Sequence, residues 1–232
     1  MDSSLTRGLY RDITDFAHDT PSWVQHLAEL WTEAGLLLFG VLFLVAWWRA
    51  RVADARALAV AVLAPLATAF GYVVSESLKS LFDEERPCRT VTDAARSLVE
   101  CPPTGDWSFP SNHASIAGAA AIALVLAWRR IWLLTVPMAL LMAFSRVFVG
   151  VHYPHDVMVG LVLGSVVAVA FVVALTRPAT ALLTSMRSSR TGVVVWFAGP
   201  GPVATPDHTG HGDHGGAGGP GRHARTTPTR DR

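Results

Sequence analysis

The stretch ALAVAVLAPLATAFGYVVSESLKSLFDEERP, residues 57–87, decides how this chain folds. From residue 57 to residue 78 it is apolar for long enough to cross a bilayer, which takes a helix of about 20 residues. It then turns polar. Lys79, the only lysine in the chain, stands seven residues before Arg86, and Arg86 precedes Pro87. If the helix continues past Leu78, that spacing puts both cations on one face, about two turns apart. Pro87 disfavours helix at the residue before it and so ends the element near Arg86.

Four more apolar runs lie outside this one, over residues 34–48, 111–128, 131–150 and 154–176. The run at 111–128 is long enough only if its helix starts at Pro110 or Ser111. Half the chain is hydrophobic (51%) and only 16% is charged. Apolar residues in blocks of this length mark a membrane protein. The fold class predicted is all-α: a polytopic membrane helical bundle of about five transmembrane helices.

Three regions follow. Residues 1–30 form an N-terminal amphipathic segment, with Phe16, Trp23, Leu27 and Leu30, and Trp31 at its boundary, set among acids and histidines. This reads as one or two helices at the membrane interface. The acids Asp12, Asp15, Asp19 and Glu29 argue against a signal peptide. Residues 31–184 form the transmembrane domain. Residues 185–232 form a Gly/Pro/His/Arg-rich tail expected to be disordered, with His208, His211 and His214 spaced by threes. A net charge of +1 gives no sign of nucleic-acid binding.

Arginines orient the bundle. Arg49, Arg51 and Arg56, then Arg129 and Arg130, then Arg177, Arg187 and Arg190 fall on the same side of five spans. The positive-inside rule makes that side cytoplasmic. The C-terminus is then cytoplasmic, and the 79–110 loop and the 145–156 turn face outward in a multi-pass protein of the cell membrane. Cys88 and Cys101 both lie in the outward loop, where an oxidising compartment permits a disulfide. Two separate thiols are the alternative.

Polar residues near hydrocarbon are costly and tend to be functional, and three clusters of them map to the outer ends of spans. Lys79 and Arg86 suit an anion. In FPSNHAS, residues 109–115, Ser111, Asn112 and His113 sit at a helix N-terminus, whose exposed N–H groups favour anions. In SRVFVGVHYPHD, residues 145–156, Arg146 closes one span, while His152 and Asp156 open the next. A carboxylate on one imidazole nitrogen leaves the other as nucleophile or base.

In order and spacing, these clusters resemble the three-part signature of the type-2 phosphatidic acid phosphatase superfamily of membrane lipid phosphatases. Lys79 to Arg86-Pro87 matches a lysine, six residues, then Arg-Pro. Pro110-Ser111-Asn112-His113 matches Pro-Ser-Gly-His with Asn112 in place of glycine. Ser145-Arg146, His152 and Asp156 match Ser-Arg, five residues, His, three residues, Asp. The match covers residues 79–156. At Asn112, asparagine would tolerate a positive φ if the backbone required one, and its side chain offers a further donor.

The resemblance implies that His152 attacks phosphorus, that Asp156 orients it, and that His113 protonates the leaving oxygen. It also implies that Lys79, Arg86 and Arg146 hold the phosphoryl oxygens, with Ser111 and the Asn112 amide completing the cradle. No metal or other cofactor is implied, and no carboxylate cluster of metal-binding type stands out near these motifs. Phe109, Phe148, Val149 and Tyr153 are candidates to flank a lipid chain. The implied substrate is a lipid phosphate in the bilayer. Undecaprenyl or decaprenyl diphosphate is the first choice, and phosphatidic acid or phosphatidylglycerol phosphate the second. A transporter or channel subunit would need polar residues along a through-path, whereas here the span centres are apolar. A vanadate-binding peroxidase would not need five spans.

Overall fold

The computed structural model describes residues 6–202, which form helices and connecting loops. The helices are α1 (Arg7–Asp19), α2 (Ser22–Ala50), α3 (Ala55–Phe82), the single turn α4 (Pro87–Thr90), α5 (Asn112–Ala127), α6 (Trp132–Phe148), α7 (Pro154–Arg187) and α8 (Gly192–Ala198). A 3₁₀ turn, Arg129–Ile131, leads into α6. Four helical stretches are long and apolar enough to cross a bilayer: Ser22–Ala50, Ala55–Thr90, Arg129–Phe148 and Pro154–Arg187. Their outward faces carry Leu37, Leu44, Val73, Leu133, Leu141 and Val162 in exposed positions, the reverse of a water-facing surface.

The fifth apolar helix, α5, has only 16 residues and stands in the middle of the bundle. It packs against α3, α6, α7 and α2. Its side chains explain why it can be surrounded: Ala114, Ser115, Ala117, Gly118, Ala119 and Ala120 are all buried and all small. Small residues let backbones approach closely where lipid gives no hydrophobic drive for helix association. The closest approach is to α7. A Cβ at Gly160 would come within 2.5 Å of the Ser111 carbonyl oxygen, and one at Gly164 would overlap the Ser115 carbonyl.

The structure redraws three of the expected boundaries. The N-terminal segment forms two helices, as the pattern allowed, and the second runs on without a break into the first span. The two helices part at Thr20-Pro21, and residues 22–30 are the first turns of the 29-residue α2. Proline suits the start of the second helix because it lacks the N–H that an interior position needs. Only α1 is separate, and it is tied to the loops. The Tyr10 hydroxyl donates to the Gly150 carbonyl at 2.9 Å, and Arg7 and Arg11 both pair with Asp93.

Second, residues 185–202 are ordered. Helix α7 runs on to Arg187, and α8 folds back so that Trp196 and Phe197 meet Trp47 and Arg51 lies over the Trp196 ring. The apolar run 193–197 gives this segment something to bury, which its polar neighbours lack. The His208–His214 region lies outside the described residues.

Third, Arg86 is not on the helix that carries Lys79. Helix α3 stops at Phe82, Asp83 takes the left-handed conformation (φ 43°), and Arg86 is already extended before Pro87. A single left-handed residue reverses the chain, so Arg86 folds back toward Lys79 instead of lying two turns above it.

Replacing Gly164 by alanine should force α5 and α7 apart. We expect a loss of about 1–3 kcal/mol, the usual cost of overpacking, read as a lower unfolding midpoint in detergent. An unchanged midpoint would show that the two helices part without cost.

Candidate active site

Four helix ends and two loops meet at one end of the bundle, around a cavity of about 430 Å³. Lys79, Arg86, Asn112, His113, Arg146 and His152 line it, with Tyr72, Glu76, Pro102, Asp106 and Ile116. The chain thus brings the residues of the three motifs, up to 73 positions apart (Lys79 to His152), onto one small space. Both imidazoles face it.

His152 lies in the turn between α6 and α7 and is 2% exposed. Its Nε2 is 3.1 Å from Arg86 Nη1. A guanidinium can only donate, so Nε2 is the acceptor and Nδ1 carries the proton. Burial above all, then the charges of Arg86, Arg146 and Lys79, hold this imidazole well below its ordinary range, so the ring is neutral at pH 7. Nδ1 faces Asp156 Oδ2 and Ser108 Oγ, each at 3.4 Å. These are long contacts of the kind that tighten only when substrate is bound. Asp156 Oδ2 also accepts from the Tyr153 amide at 2.8 Å and from the Ser108 hydroxyl. Asp156 sits in the first turn of α7, where a carboxylate answers unpaired N–H groups.

The cations are held from several directions. Arg86 donates from Nε to the Asp106 carbonyl (2.8 Å) and from Nη1 to the Val151 carbonyl (3.1 Å). Arg146 donates from Nη1 to the Thr32 hydroxyl of α2 at 2.9 Å. The Asp106 carboxylate bridges the other two: Oδ1 is 2.8 Å from Lys79 Nζ and 3.0 Å from Arg86 Nη2. Burial pushes its pKa up, but the Lys79 hydrogen bond and the Arg86 and Lys79 charges outweigh this and leave it lowered. A carboxylate therefore sits where a pair of cations would grip an anion.

Several sequence-based assignments change. Ser111 is buried, but its hydroxyl has no hydrogen-bond partner among the described residues and does not line the cavity. Asn112 is helical and needs no positive φ, since among the described non-glycine residues only Asp83 has one. Its side chain is also committed: Oδ1 accepts from Ser75 at 2.8 Å, and Nδ2 donates to Glu76. It braces α5 against α3, with one of its two N–H groups given to Glu76. Phe109, Phe148, Val149 and Tyr153 are buried in packing and do not line the cavity, whose apolar wall is Tyr72, Pro102 and Ile116. Cys88 and Cys101 are joined by a disulfide. A carboxylate and imidazole cluster does exist beside the motifs: ligand atoms of Glu84, His155 and Asp156 lie within 4.8 Å of one another. Asp106, Ser108, Glu84 and Thr32 were missed because each acts across a long sequence separation that no local spacing announces.

A bundle of membrane-length helices brings three cations and two imidazoles onto one cavity, a setting suited to an anion. The chain belongs to the PAP2 superfamily, whose family profile matches residues 60–180. It is 40% identical over 94 residues to an undecaprenyl-diphosphatase of Sulfolobus acidocaldarius, covering 40% of this chain and 44% of that one. It is 30% identical over 140 residues to the undecaprenyl-diphosphatase BcrC of Bacillus subtilis, covering 60% and 69%. In fold it resembles LpxE of Aquifex aeolicus, with a TM-score of 0.59 at 24% identity, over 73% of this chain and 96% of that one.

If Asp106 competes for the anion position, removing its charge should help anions bind. Asp106→Asn should lower the inhibition constant of orthovanadate about fivefold, as expected for losing a part-exposed ion pair of about 1 kcal/mol. A higher constant would show that the carboxylate organises the cations instead of competing with substrate.

Proposed function

We propose that this protein removes the terminal phosphate of a polyprenyl diphosphate in the membrane, by way of a phosphohistidine. The observation that carries the reading is the cavity itself. In it His152 presents an unprotonated Nε2 among Arg86, Arg146 and Lys79, opposite a second imidazole, His113. Two undecaprenyl-diphosphatases among the relatives support the choice of lipid.

In this mechanism the phosphoryl oxygens replace the Asp106 carboxylate as partners of Lys79 and Arg86, and the cations stabilise charge during transfer. His152 Nε2 attacks phosphorus. An N–P bond forms, the bridging P–O bond breaks, and His113 gives a proton to the departing lipid phosphate. As Nε2 is phosphorylated the ring becomes cationic, and Asp156 balances the charge at Nδ1. His113 then takes a proton from water, which attacks the phosphohistidine and releases inorganic phosphate. The backbone amides at the start of α5 add donors to the cradle.

The cavity lies at the end of the bundle opposite Arg49, Arg51, Arg56, Arg129, Arg130, Arg177 and Arg187. Under the positive-inside rule this arrangement supports an active site on the extracytoplasmic side of the cell membrane, with the C-terminus in the cytoplasm.

Phosphate release from purified protein tests the reading directly. Undecaprenyl or decaprenyl diphosphate should be turned over faster than phosphatidic acid or phosphatidylglycerol phosphate. The reverse order would assign the protein to phospholipid synthesis, and no release from any of them would reject the proposal. His152→Ala should abolish turnover while leaving insertion and folding intact, and wild-type rates in that variant would remove His152 from the mechanism. Because burial and neighbouring cations depress the His152 pKa, the nucleophile stays unprotonated below the ordinary imidazole value of about 6.5. The acidic limb of kcat/KM should therefore have its midpoint below that value. A midpoint of about 7 or higher would mean that another group limits the rate.

A further inference from the structure

The side of Asp156 that faces away from His152 carries contacts the mechanism above does not use. Asp156 is fully buried. Its Oδ2 serves His152, Ser108 and the Tyr153 amide, while Oδ1 lies 3.2 Å from His155 Nε2 in an off-axis contact. The same Nε2–H donates to Glu84 Oε1 at 3.1 Å. The His155 ring is stacked on Tyr153 (centroids 5.3 Å apart, planes at 17°), and its Nδ1 is 2.6 Å from the Thr6 hydroxyl at the start of α1. The ring is thus fixed at both nitrogens and on one face.

Glu84 also reaches Asp156 by a second route. Its backbone carbonyl accepts from the Ser108 amide at 2.7 Å, and the Ser108 hydroxyl donates to Asp156 Oδ2. One residue therefore governs both oxygens of the carboxylate, one through His155 and the other through Ser108. Glu84 stands between Lys79 and Arg86, and its side chain is only 4% exposed. A buried acid in such a place is costly unless it is paired, and its partner here is His155.

We propose that Glu84 and His155 are positioning residues: they lock the rotation of the Asp156 carboxylate so that Oδ2 stays on His152 Nδ1. This rests on the reading of His152 as the nucleophile. If the grip is lost, Asp156 turns about its last side-chain bond, and the imidazole loses the partner that sets its tautomer and direction. Misplacement of a reacting group on the ångström scale costs catalysis while ground-state binding persists. The anion clamp of Lys79, Arg86 and Arg146 makes none of its contacts through His155, so phosphate affinity should stay unchanged.

The test uses the full chain in detergent with undecaprenyl diphosphate as substrate, and orthovanadate inhibition as the measure of the anion pocket. Glu84→Ala and His155→Phe should each lower kcat by about 10- to 100-fold, with KM and the orthovanadate constant within about threefold of wild type. Glu84→Gln keeps the acceptor and His155→Gln keeps a donor, so both should recover most of the loss. The double variant Glu84→Ala/His155→Phe should be no slower than the worse single one, as expected for residues acting through one carboxylate. The rate at which an acid-labile phosphoryl-enzyme forms should fall together with kcat.

If kcat stays within twofold of wild type in both single variants while His152→Ala is dead, the positioning role is overturned and the nucleophile assignment stands. If His152→Ala is itself active, the underlying reading fails instead. Loss of orthovanadate affinity in the conservative variants would overturn the proposal, because the pair would then be holding the pocket together. Activity lost to EDTA and restored by a divalent cation would also overturn it, by making Glu84, His155 and Asp156 ligands of an ion.

Discussion

Everything at the catalytic end depends on how closely α5 can lie against α7. The second motif opens α5, and the third runs from the end of α6 into the first turn of α7, so the separation of these backbones sets the distance between His113 and His152. Gly160 and Gly164 remove side chains on one surface, and Ser111, Ala114 and Ser115 present small ones on the other. The contact is extended by a hydrogen bond from the Ser111 amide to the Asp156 carbonyl at 3.2 Å. Close packing of this sort resists continuous deformation, and that rigidity suits a site whose chemistry is mostly positioning and charge.

Charge is the second constraint. Lys79, Arg86 and Arg146 are each nearly buried (6%, 3% and 6% exposed), and like charges in such surroundings repel strongly. The structure offsets this with carbonyl oxygens from Asp106 and Val151, with the Thr32 hydroxyl, and with one carboxylate shared by two cations. Burial above all, and then the same cations, keep His152 neutral. The cations that attract an anion thus also help keep Nε2 unprotonated, with Arg86 Nη1 donating to it.

Much of this was legible in the sequence because its signals are local. Apolar runs marked the spans, and fixed spacings marked Lys79 to Arg86, Ser111 to His113 and Arg146 to Asp156. What could not be read were pairings between segments. Glu84 looks like one of three consecutive acidic residues until His155 is placed beside it, and Asp106 looks like a loop residue until the chain reversal at Asp83 brings Arg86 back to Lys79. Asn112 stood out as a departure from glycine, but its purpose depends on Ser75 and Glu76 of a neighbouring helix. The end of the bundle formed by Trp47, Arg51 and Trp196 was hidden in the same way, because residues 193–197 are apolar only briefly and their burial requires a partner surface.

The shortness of α5 has a mechanical consequence. Sixteen residues rise about 24 Å, whereas the hydrocarbon layer is about 30 Å thick. With its Trp128 end near one boundary of that layer, its Asn112 end stops inside the other. The non-helical backbone of residues 108–111 therefore dips to a depth where bare peptide groups are tolerated only when protein encloses them, and all four residues are buried. A helix this short is accommodated because longer helices surround it and meet the lipid in its place.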